Sequence, residues 1–296
     1  MPSRELTSIL ALVPPDFADP EADYRAVRAT MAPMHGHPVP AHVTVTETDL
    51  GGVRGAWYDD RRGPRRTRTV FHCHGGGLVS CPLDDYHFYG AMLAEQLEAR
   101  VVLPDYRLAP EHPFPAAHDD CLSAYRGLLG SGVDPSRLVV SGDSCGGLLA
   151  LGALLAARDE GLPMPACFVS VSGWFDLSVA RTKPVAGPDP FLSEVWVRNR
   201  GRDYTAGAVA LDDPRVSPAY AELEGLPLLY LPVAQYDCVY AGVVTLAQAA
   251  WHAGVPVVTE SWPGMVHGWQ GLVTAGVPEA AAAFARARTV VASSGA

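Results

Sequence analysis

The chain has 296 residues, of which 48% are hydrophobic and 18% are charged, and its formal net charge is −10. This size and composition can bury one sizeable core, so one elaborated α/β domain explains the chain better than two independent domains. The acidic balance, without a basic run interleaved with aromatic residues, excludes nucleic acid as a partner.

The N-terminal sequence and the cysteines bear on the cellular compartment. The first residues, Met-Pro-Ser-Arg-Glu, lack the pattern of a secretory signal, and no segment reaches the roughly 18 apolar residues needed to span a bilayer. The six cysteines have neither metal-site nor disulfide-framework spacing; they are Cys73, Cys81, Cys121, Cys145, Cys167 and Cys238. We expect a cytoplasmic protein with reduced, mostly buried thiols and no membrane partner.

The first 42 residues contain two short helical patterns, Leu6–Leu12 and Glu21–Met31, which are interrupted and closed by prolines such as Pro33. Because they precede the first predicted strand, these helices can lie across the top of a sheet. A metal site is the alternative for the histidines that follow, His35, His37 and His42. Without a further ligand at a helix-defined spacing, a proline-rich surface loop is the better interpretation.

Strand patterns begin with two alternating segments, Val43–Asp49 and Val53–Tyr58, which predict a hairpin at a sheet edge. From residue 69 onward strands and helices alternate, which predicts a mostly parallel sheet covered on both faces. The strands predicted there are Thr69–Cys73, Val101–Leu103, Leu138–Val140, Ala166–Ser172, Leu228–Val233 and Pro256–Glu260. The helices predicted there are Asp84–Glu98, Ala117–Leu129, Tyr240–His252 and Pro278–Val291, besides the segment after Ser144.

Three consecutive glycines, Gly75, Gly76 and Gly77, follow the predicted strand Thr69–Cys73 and His74. Consecutive glycines let a backbone pass close to another group and turn its N–H groups toward it, as an oxyanion hole requires. The alternative is a metal pair from His72 and His74, which share one strand face. A metal site would not explain why three consecutive glycines are present, so we predict an oxyanion hole and no metal or other cofactor.

Ser144 lies on a sharp turn between a buried strand pattern and an Ala/Leu-rich helical pattern. Gly142 and Gly146 flank it at a distance of two residues, where a nucleophile in a strained backbone conformation tolerates no side-chain bulk. The turn points the hydroxyl outward at a helix N-terminus, which favours a developing negative charge. The pattern indicates a nucleophile elbow, although the motif alone fits a glycine-rich loop equally well.

About fifty residues after the predicted strand Ala166–Ser172 have little strand character. Aromatic residues are concentrated there among prolines and charges: Trp174, Phe175, Phe191, Trp196 and Tyr204. This composition fits a second cap segment over the site. The alternative, for each aromatic residue, is a surface segment in which the side chain only contributes to packing. Farther on, Asp237 follows the strand Leu228–Val233, and His267 lies in the loop after the last strand.

Ser144, Asp237 and His267 occur in the chain order of an α/β-hydrolase triad, each after a predicted strand on the same sheet edge. The chain resembles the hormone-sensitive-lipase family of α/β-hydrolases, bacterial carboxylesterases that share His-Gly-Gly-Gly and Gly-Asp-Ser-Ala-Gly-Gly motifs. The matching positions are His74–Gly77, Tyr106–Ala116, Gly142–Gly147, Asp213–Pro218, Asp237 and Gly264–Gly268. The resemblance extends over residues 43–290.

This resemblance implies an α/β-hydrolase fold with an eight-stranded, mostly parallel sheet whose second strand is antiparallel. It implies N-terminal cap helices at residues 1–42, core segments at 43–172 and 213–296, and a second cap segment at 173–212. It also implies hydrolysis of small-molecule esters with small or medium acyl groups. The prediction of a homodimer is based on the resemblance alone.

The resemblance assigns roles to individual residues. Ser144 would be the nucleophile, His267 its base, and Asp237 the group that orients the imidazole. Backbone N–H groups of the three glycines and of Cys145 would bind the oxyanion. The predicted substrate contacts are Leu78, Asp143, Trp174 and Phe175.

Three positions depart from the family pattern. Cys145 replaces the usual alanine and adds a thiol that is either a second nucleophile or, as we expect, buried and inert. Cys238-Val239-Tyr240-Ala241 follows Asp237 where further acidic residues are common, and Leu78 follows the glycines where an aromatic residue is frequent.

Three functions are compatible with these motifs, and a serine carboxylesterase is favoured. An acyltransferase, lactonase or cyclase would use the same acyl-enzyme and replace water with another nucleophile. A catalytically silent small-molecule receptor on the same fold is disfavoured, because Ser144 and His267 are both present.

Overall fold

A central sheet organises the computed structural model, which describes residues 2–62, 64, 66–180 and 189–295. The sheet has eight strands. In chain order they are β1 (Val43–Asp49), β2 (Arg54–Asp60), β3 (Thr69–Cys73), β4 (Arg100–Pro104), β5 (Leu138–Asp143), β6 (Cys167–Val171), β7 (Leu228–Ala234) and β8 (Val257–Trp262).

The strand order across the sheet is β1-β2-β4-β3-β5-β6-β7-β8. Strand β2 is antiparallel to both of its neighbours, and every later pair is parallel. All residues of β3, β5 and β6 are buried, because a parallel sheet is covered by helices on both faces. The predicted eight-stranded, mostly parallel sheet with an antiparallel second strand is confirmed.

Helices cover the sheet on both sides. They are α1 (Arg4–Leu10), α2 (Tyr24–His35), α3 (His87–Leu97), α4 (Ala116–Gly130), α5 (Cys145–Asp159), α6 (Glu194–Thr205), α7 (Tyr240–His252) and α8 (Pro278–Ser293). One core contains α4, α5 and α7 with the sheet residues Phe71 and Val140. A second core, on the opposite face of the sheet, contains α3 and α8 with the adjacent residues Val70 and Val139, as the alternation of side chains along a strand requires.

The structure changes the end of one predicted helix and adds another helix that was not predicted. Helix α2 continues through Pro33 to His35 instead of ending at Met31. Val27 and Met31 pack on the core, and a proline this close to the end of a helix removes only one hydrogen bond. In addition, a 3-10 helix at Trp269–Ala275 was not predicted, because a helix this short leaves no clear periodicity in the sequence.

The N-terminal segment lies against α6. Asn199 Nδ2 donates to the carbonyl of Pro20 at 2.8 Å, and Arg200 Nη1 donates to the carbonyl of Ala22 at 2.9 Å. Of the predicted second cap segment, residues 181–188 lie outside the described residues. None of the helices in the described part of the chain is long and apolar enough to cross a membrane.

Candidate active site

The turn between β5 and α5 places Ser144 in the left-handed region of backbone space, with φ 51° and ψ −127°. A Cβ atom on Gly142 would lie 2.3 Å from the carbonyl oxygen of Gly146, and one on Gly146 would lie 2.0 Å from that of Cys73. Neither distance is sterically allowed, so both flanking positions require glycine. The turn has the geometry of a nucleophile elbow.

A hydrogen-bond relay connects three side chains that are far apart in sequence. His267 Nε2 lies 2.9 Å from Ser144 Oγ, and His267 Nδ1 lies 2.8 Å from Asp237 Oδ2. A proton on Nδ1 donates to the carboxylate, which leaves Nε2 to accept the hydrogen bond of the serine hydroxyl. Asp237 also accepts the N–H of Val239 at 3.0 Å. The structure therefore brings together the three residues that the sequence analysis selected.

Carboxylates control the proton affinity of His267. Burial by itself would lower the pKa of His267, but the charge and hydrogen bond of Asp237, with contributions from Asp189 and Asp143, outweigh burial and raise it. Asp189 was not predicted. Burial and the nearby charge of Asp237 raise the pKa of Asp189 to about 7. The imidazole thus lies in a field that favours its protonated form.

Residues 263–268, here called the histidine loop, connect β8 to the 3-10 helix and have no regular structure of their own. Three side chains accept hydrogen bonds from its backbone. Gln235 Oε1 accepts the N–H of Gly264 at 2.8 Å, Asp189 Oδ2 that of His267 at 3.1 Å, and Ser172 Oγ that of Gly268 at 3.0 Å. The position of the imidazole therefore depends on distant segments of the chain.

The three predicted oxyanion-hole glycines do not have the same environment. Gly76 and Gly77 line the cavity above Ser144 and have φ values of 111° and 65°. The N–H of Gly75, in contrast, donates to Asp143 Oδ1 at 2.9 Å. This corrects the assignment of Gly75 as an oxyanion donor, because the carboxylate already takes its hydrogen.

The thiol of Cys145 contacts the residue that follows Gly75, Gly76 and Gly77. Its Sγ accepts the N–H of Leu78 at 3.1 Å, and burial raises the pKa of the thiol far above its ordinary value. Cys145 is completely buried, which fits an inert thiol rather than a second nucleophile. Its own N–H belongs to the first turn of α5, whose N–H groups lack partners within the helix.

Asp143 was predicted to contact substrate, and it borders the cavity. Its oxygens are occupied, however, because Oδ1 accepts His72 Nε2 at 2.9 Å besides the N–H of Gly75, and Oδ2 accepts the hydroxyl of Tyr86 at 2.8 Å. Burial opposes ionisation, yet the hydrogen bonds from His72 and Tyr86 hold the pKa of Asp143 below its usual value. Asp143 therefore braces Gly75, and His72 has a partner other than a metal.

A cavity of about 400 Å³ opens over Ser144 and His267. Its wall is mostly apolar and aromatic, and it includes Phe17, Met31, Phe88, Tyr89, Phe191, Leu192, Trp196 and Leu272. Leu78, Trp174 and Phe175, which were predicted to contact substrate, are fully buried and do not line it in the described part of the chain. Trp174 packs edge-on against Trp196 at 5.8 Å and so supports the cavity wall from behind, whereas Phe175 packs edge-on against Phe168 of β6 at 6.1 Å.

The possible metal ligands that lie close together are not the histidines His35, His37 and His42 that the sequence analysis considered. In the described ranges, the group with suitable spacing is Glu47, Asp84 and His87. Arg54 already donates to Glu47 at 2.7 Å and to Asp84 at 2.6 Å. His74 stacks on Tyr106 at 4.1 Å, and burial lowers the pKa of its imidazole to about 4.

Comparison with known proteins agrees with this geometry. A family model described as the alpha/beta hydrolase fold matches residues 70–271. The chain belongs to the α/β-hydrolase family. This α/β-hydrolase is 36% identical over 232 residues to an acetyl-hydrolase of Streptomyces hygroscopicus, covering 77% of this chain and 74% of the relative. It is 31% identical over 245 residues to an esterase of Acinetobacter venetianus, covering 82% and 80%.

Solved structures also match this α/β-hydrolase over its whole length. An esterase from the bacterial hormone-sensitive lipase family superimposes with a TM-score of 0.90 at 31% identity, and 100% of each chain is covered. A hormone-sensitive lipase from a metagenome library gives a TM-score of 0.88 at 32% identity, again covering 100% of both chains. The resemblance to the hormone-sensitive-lipase family that the motifs indicated is confirmed.

The sequence analysis missed residues that act through tertiary contacts. The aromatic concentration after β6 did identify Phe191 and Trp196, which line the cavity. Asp189 gave no signal, because its effect on His267 depends on a contact across 78 residues of chain. Phe17 and Met31 were included only as parts of the predicted N-terminal cap segment, residues 1–42, and Phe17 lies between its two predicted helices.

Proposed function

We propose that this α/β-hydrolase cleaves carboxylic esters through an acyl-enzyme on Ser144, with His267 as general base and Asp237 as its orienting partner. One observation carries the proposal. A hydrogen-bond relay runs from Ser144 Oγ through His267 to Asp237, at 2.9 Å and 2.8 Å, and its serine end lies at the cavity. A hydroxyl next to a base that is oriented by a third group is the arrangement of an activated nucleophile. The chain is a carboxylic ester hydrolase, as are the esterases and acetyl-hydrolase to which it is similar.

The first half of the reaction forms the acyl-enzyme. Nε2 of His267 takes the hydroxyl proton while Oγ of Ser144 bonds to the ester carbonyl carbon, and the carbonyl oxygen becomes an oxyanion. The N–H groups of Gly76, Gly77 and Cys145 are the proposed donors to it; each such donor is worth about 2.7–4 kcal/mol in the transition state. The C–O bond to the alcohol then breaks, and Nε2 returns its proton to the leaving alkoxide.

Water completes the cycle. Nε2 removes a proton from a water molecule, whose oxygen attacks the acyl carbon, and the bond to Oγ breaks as Ser144 regains its proton. In both halves Asp237 stabilises the imidazolium form of His267, consistent with its upward effect on the pKa of that histidine. The products are a carboxylic acid and an alcohol.

The cavity supports uncharged esters with short- to medium-chain acyl groups. Its volume of about 400 Å³ lies near the low end of the range of about 300–1,000 Å³ for small-molecule pockets. We propose that residues 1–42 and 173–212 form the cap that sets this limit. Phe17 from the first segment and Phe191 from the second both line the cavity, and their rings meet edge-on at 5.5 Å.

We propose a cytoplasmic location, which is supported by the buried cysteines that form no disulfide, namely Cys73, Cys81, Cys121, Cys145 and Cys167. Reducing compartments maintain thiols in this state. Cell fractionation with an antibody against the protein tests the location. The homodimer stays a prediction of the family resemblance, and sedimentation equilibrium tests it.

The test of the activity is hydrolysis of a p-nitrophenyl ester series from acetate to decanoate. We expect turnover of the short esters and a decline before decanoate, and a loss of about 10⁴-fold or more in kcat for Ser144→Ala. Cys145→Ala is the matched control, because it changes the adjacent residue and leaves the hydroxyl in place. Turnover of no ester by the intact protein, or full activity in Ser144→Ala, would contradict the proposal. Acid and alcohol released in equal amounts distinguish hydrolysis from acyl transfer.

A further inference from the structure

Asp189 connects the histidine loop to the wall of the cavity. Its Oδ2 accepts the backbone N–H of His267 at 3.1 Å, and its Oδ1 accepts the backbone N–H of Phe191 at 2.9 Å. One planar carboxylate thus holds two chain segments at a fixed separation. The proposed ester hydrolysis assigns no role to this residue.

The second of these segments is part of the substrate cavity. Phe191 and Leu192 both line the cavity, as do His267 and Gly268. The first hydrogen bond is made to the backbone of His267 itself, whose ring must stay within reach of Ser144 Oγ. A displacement of about 1 Å between reacting groups is enough to lower a rate substantially. The carboxylate therefore lies where it controls the alignment of the base with the cavity wall.

The charged groups around this contact come from several elements. His267 faces Asp237 after β7 and Asp143 at the end of β5, in addition to Asp189. Asp189 faces Asp237 and His267, and the thiol of Cys238 lies in the field of both carboxylates and of Glu194 on α6. Asp189 is thus one of three acidic side chains that act on the imidazole, and it is the one that also accepts the backbone N–H of His267.

We propose that Asp189 is a positioning residue that fixes the backbone of His267 against the cavity wall and supplies a second carboxylate to the imidazolium. The inference rests on the proposed function, in which His267 is the base. Asp189 touches neither the serine nor the ester carbonyl, so it acts through His267.

The sign of the pH effect follows from the charges. Asp189, with a pKa of about 7, is increasingly ionised as the pH rises through neutrality, and its negative charge favours protonated His267. Removing that charge lowers the pKa of His267. Since the neutral imidazole is the active base, the acidic limb of the kcat/KM profile moves to lower pH in a variant without the charge.

The experiment compares Asp189→Asn with Asp176→Asn. Asp176 is the control, because it is a buried aspartate, at 3% exposure, and, like Asp189, accepts an N–H two residues ahead, that of Ser178 at 2.9 Å. Its other carboxylate oxygen accepts the hydroxyl of Tyr220 at 2.8 Å. Within the described residues it makes no hydrogen bond to the histidine loop.

For Asp189→Asn we expect the pKa of His267, followed by NMR of the imidazole and assigned with His267→Asn, to fall by about half a unit. We expect the acidic limb of kcat/KM for p-nitrophenyl acetate to shift with it. The plateau value of kcat should fall about three- to tenfold, the equivalent of one hydrogen bond, with KM nearly unchanged. Asp176→Asn should leave the pKa, the acidic limb and kcat at their wild-type values.

An unchanged histidine pKa and unchanged kcat in folded Asp189→Asn would overturn the inference, as would equal changes in Asp176→Asn. Folding is checked by circular dichroism. If Asp189→Asn does not fold, Asp189→Ser, which keeps one acceptor oxygen and no charge, has the same expected shift. If the wild type cleaves no ester, the proposed function fails, whereas the NMR comparison still decides whether Asp189 acts on His267.

Discussion

The nucleophile elbow and the histidine loop hold their side chains in different ways. The elbow lies within a single strand-turn-helix unit, β5 and α5, and is shaped by backbone atoms that approach so closely that Gly142 and Gly146 admit no Cβ. The histidine loop is held by hydrogen bonds that its backbone N–H groups donate to Ser172, Asp189 and Gln235. Its tethers span between 29 and 96 residues of chain.

This difference has an energetic consequence. Steric overlap of backbone atoms is relieved only by moving a strand or a helix, so a disturbed elbow affects the whole β5–α5 unit. A hydrogen bond from a side chain contributes only about 0.5–1.5 kcal/mol net. Changes at the elbow should therefore damage folding, whereas changes at the histidine tethers should damage catalysis first.

The largest effect is expected for Gly146→Ala. Its new Cβ would lie 2.0 Å from the carbonyl oxygen of Cys73 and 2.5 Å from that of His74, which forces α5 away from β3. We expect the free energy of unfolding to fall by about 3 kcal/mol or more in urea titrations, together with loss of activity. Gly130→Ala at the end of α4, where no atom lies within 4 Å, is the control and should be neutral or slightly stabilising. Equal stability of the two variants would contradict the interpretation that steric overlap makes glycine necessary at position 146.

An intermediate effect, on catalysis, is expected for Ser172→Ala. The substitution removes the acceptor of the Gly268 N–H and the donor to Gln270, at 3.0 Å and 2.8 Å. We expect kcat to fall about three- to tenfold, because the imidazole loses one tether. Ser170→Ala, two residues earlier and within β6, is the control: its Oγ accepts the N–H of Gly173 at 3.0 Å and makes no hydrogen bond to the histidine loop among the described residues. A similar fall in kcat for both variants would mean that the tether is not what matters.

The smallest effect is expected for Cys145→Ala. Leu78 loses the sulfur that accepts its N–H at 3.1 Å, while the backbone N–H of residue 145 remains. We expect a loss of about 1 kcal/mol in the free energy of unfolding and ester hydrolysis within about twofold of the wild type. Thermal unfolding and p-nitrophenyl acetate turnover measure the two effects. Loss of activity without loss of stability would instead indicate that the thiol takes part in the chemistry.

The sequence by itself determined the sheet and the order of the reacting groups. Strand and helix patterns recur at short range, so β3 and α7 were predicted with their observed bounds, Thr69–Cys73 and Tyr240–His252. The steric constraint on Gly142 is local, because its Cβ would meet Gly146 of the same turn, whereas a Cβ on Gly146 would meet Cys73 of β3. The order of Ser144, Asp237 and His267, each after a strand, then placed them at one edge of a parallel sheet.

Only the tertiary structure decided which neighbours each of these groups has. Gly75 resembles Gly76 and Gly77 in sequence, but the carboxylate of Asp143 takes its N–H. Trp174 and Phe191 are both aromatic residues of the same segment, yet one is buried behind the cavity wall and the other lines it. Asp189 reaches His267 across 78 residues. Periodicity and local sterics are properties of consecutive residues, whereas burial, hydrogen-bond partners and pKa depend on segments that only the folded chain brings together.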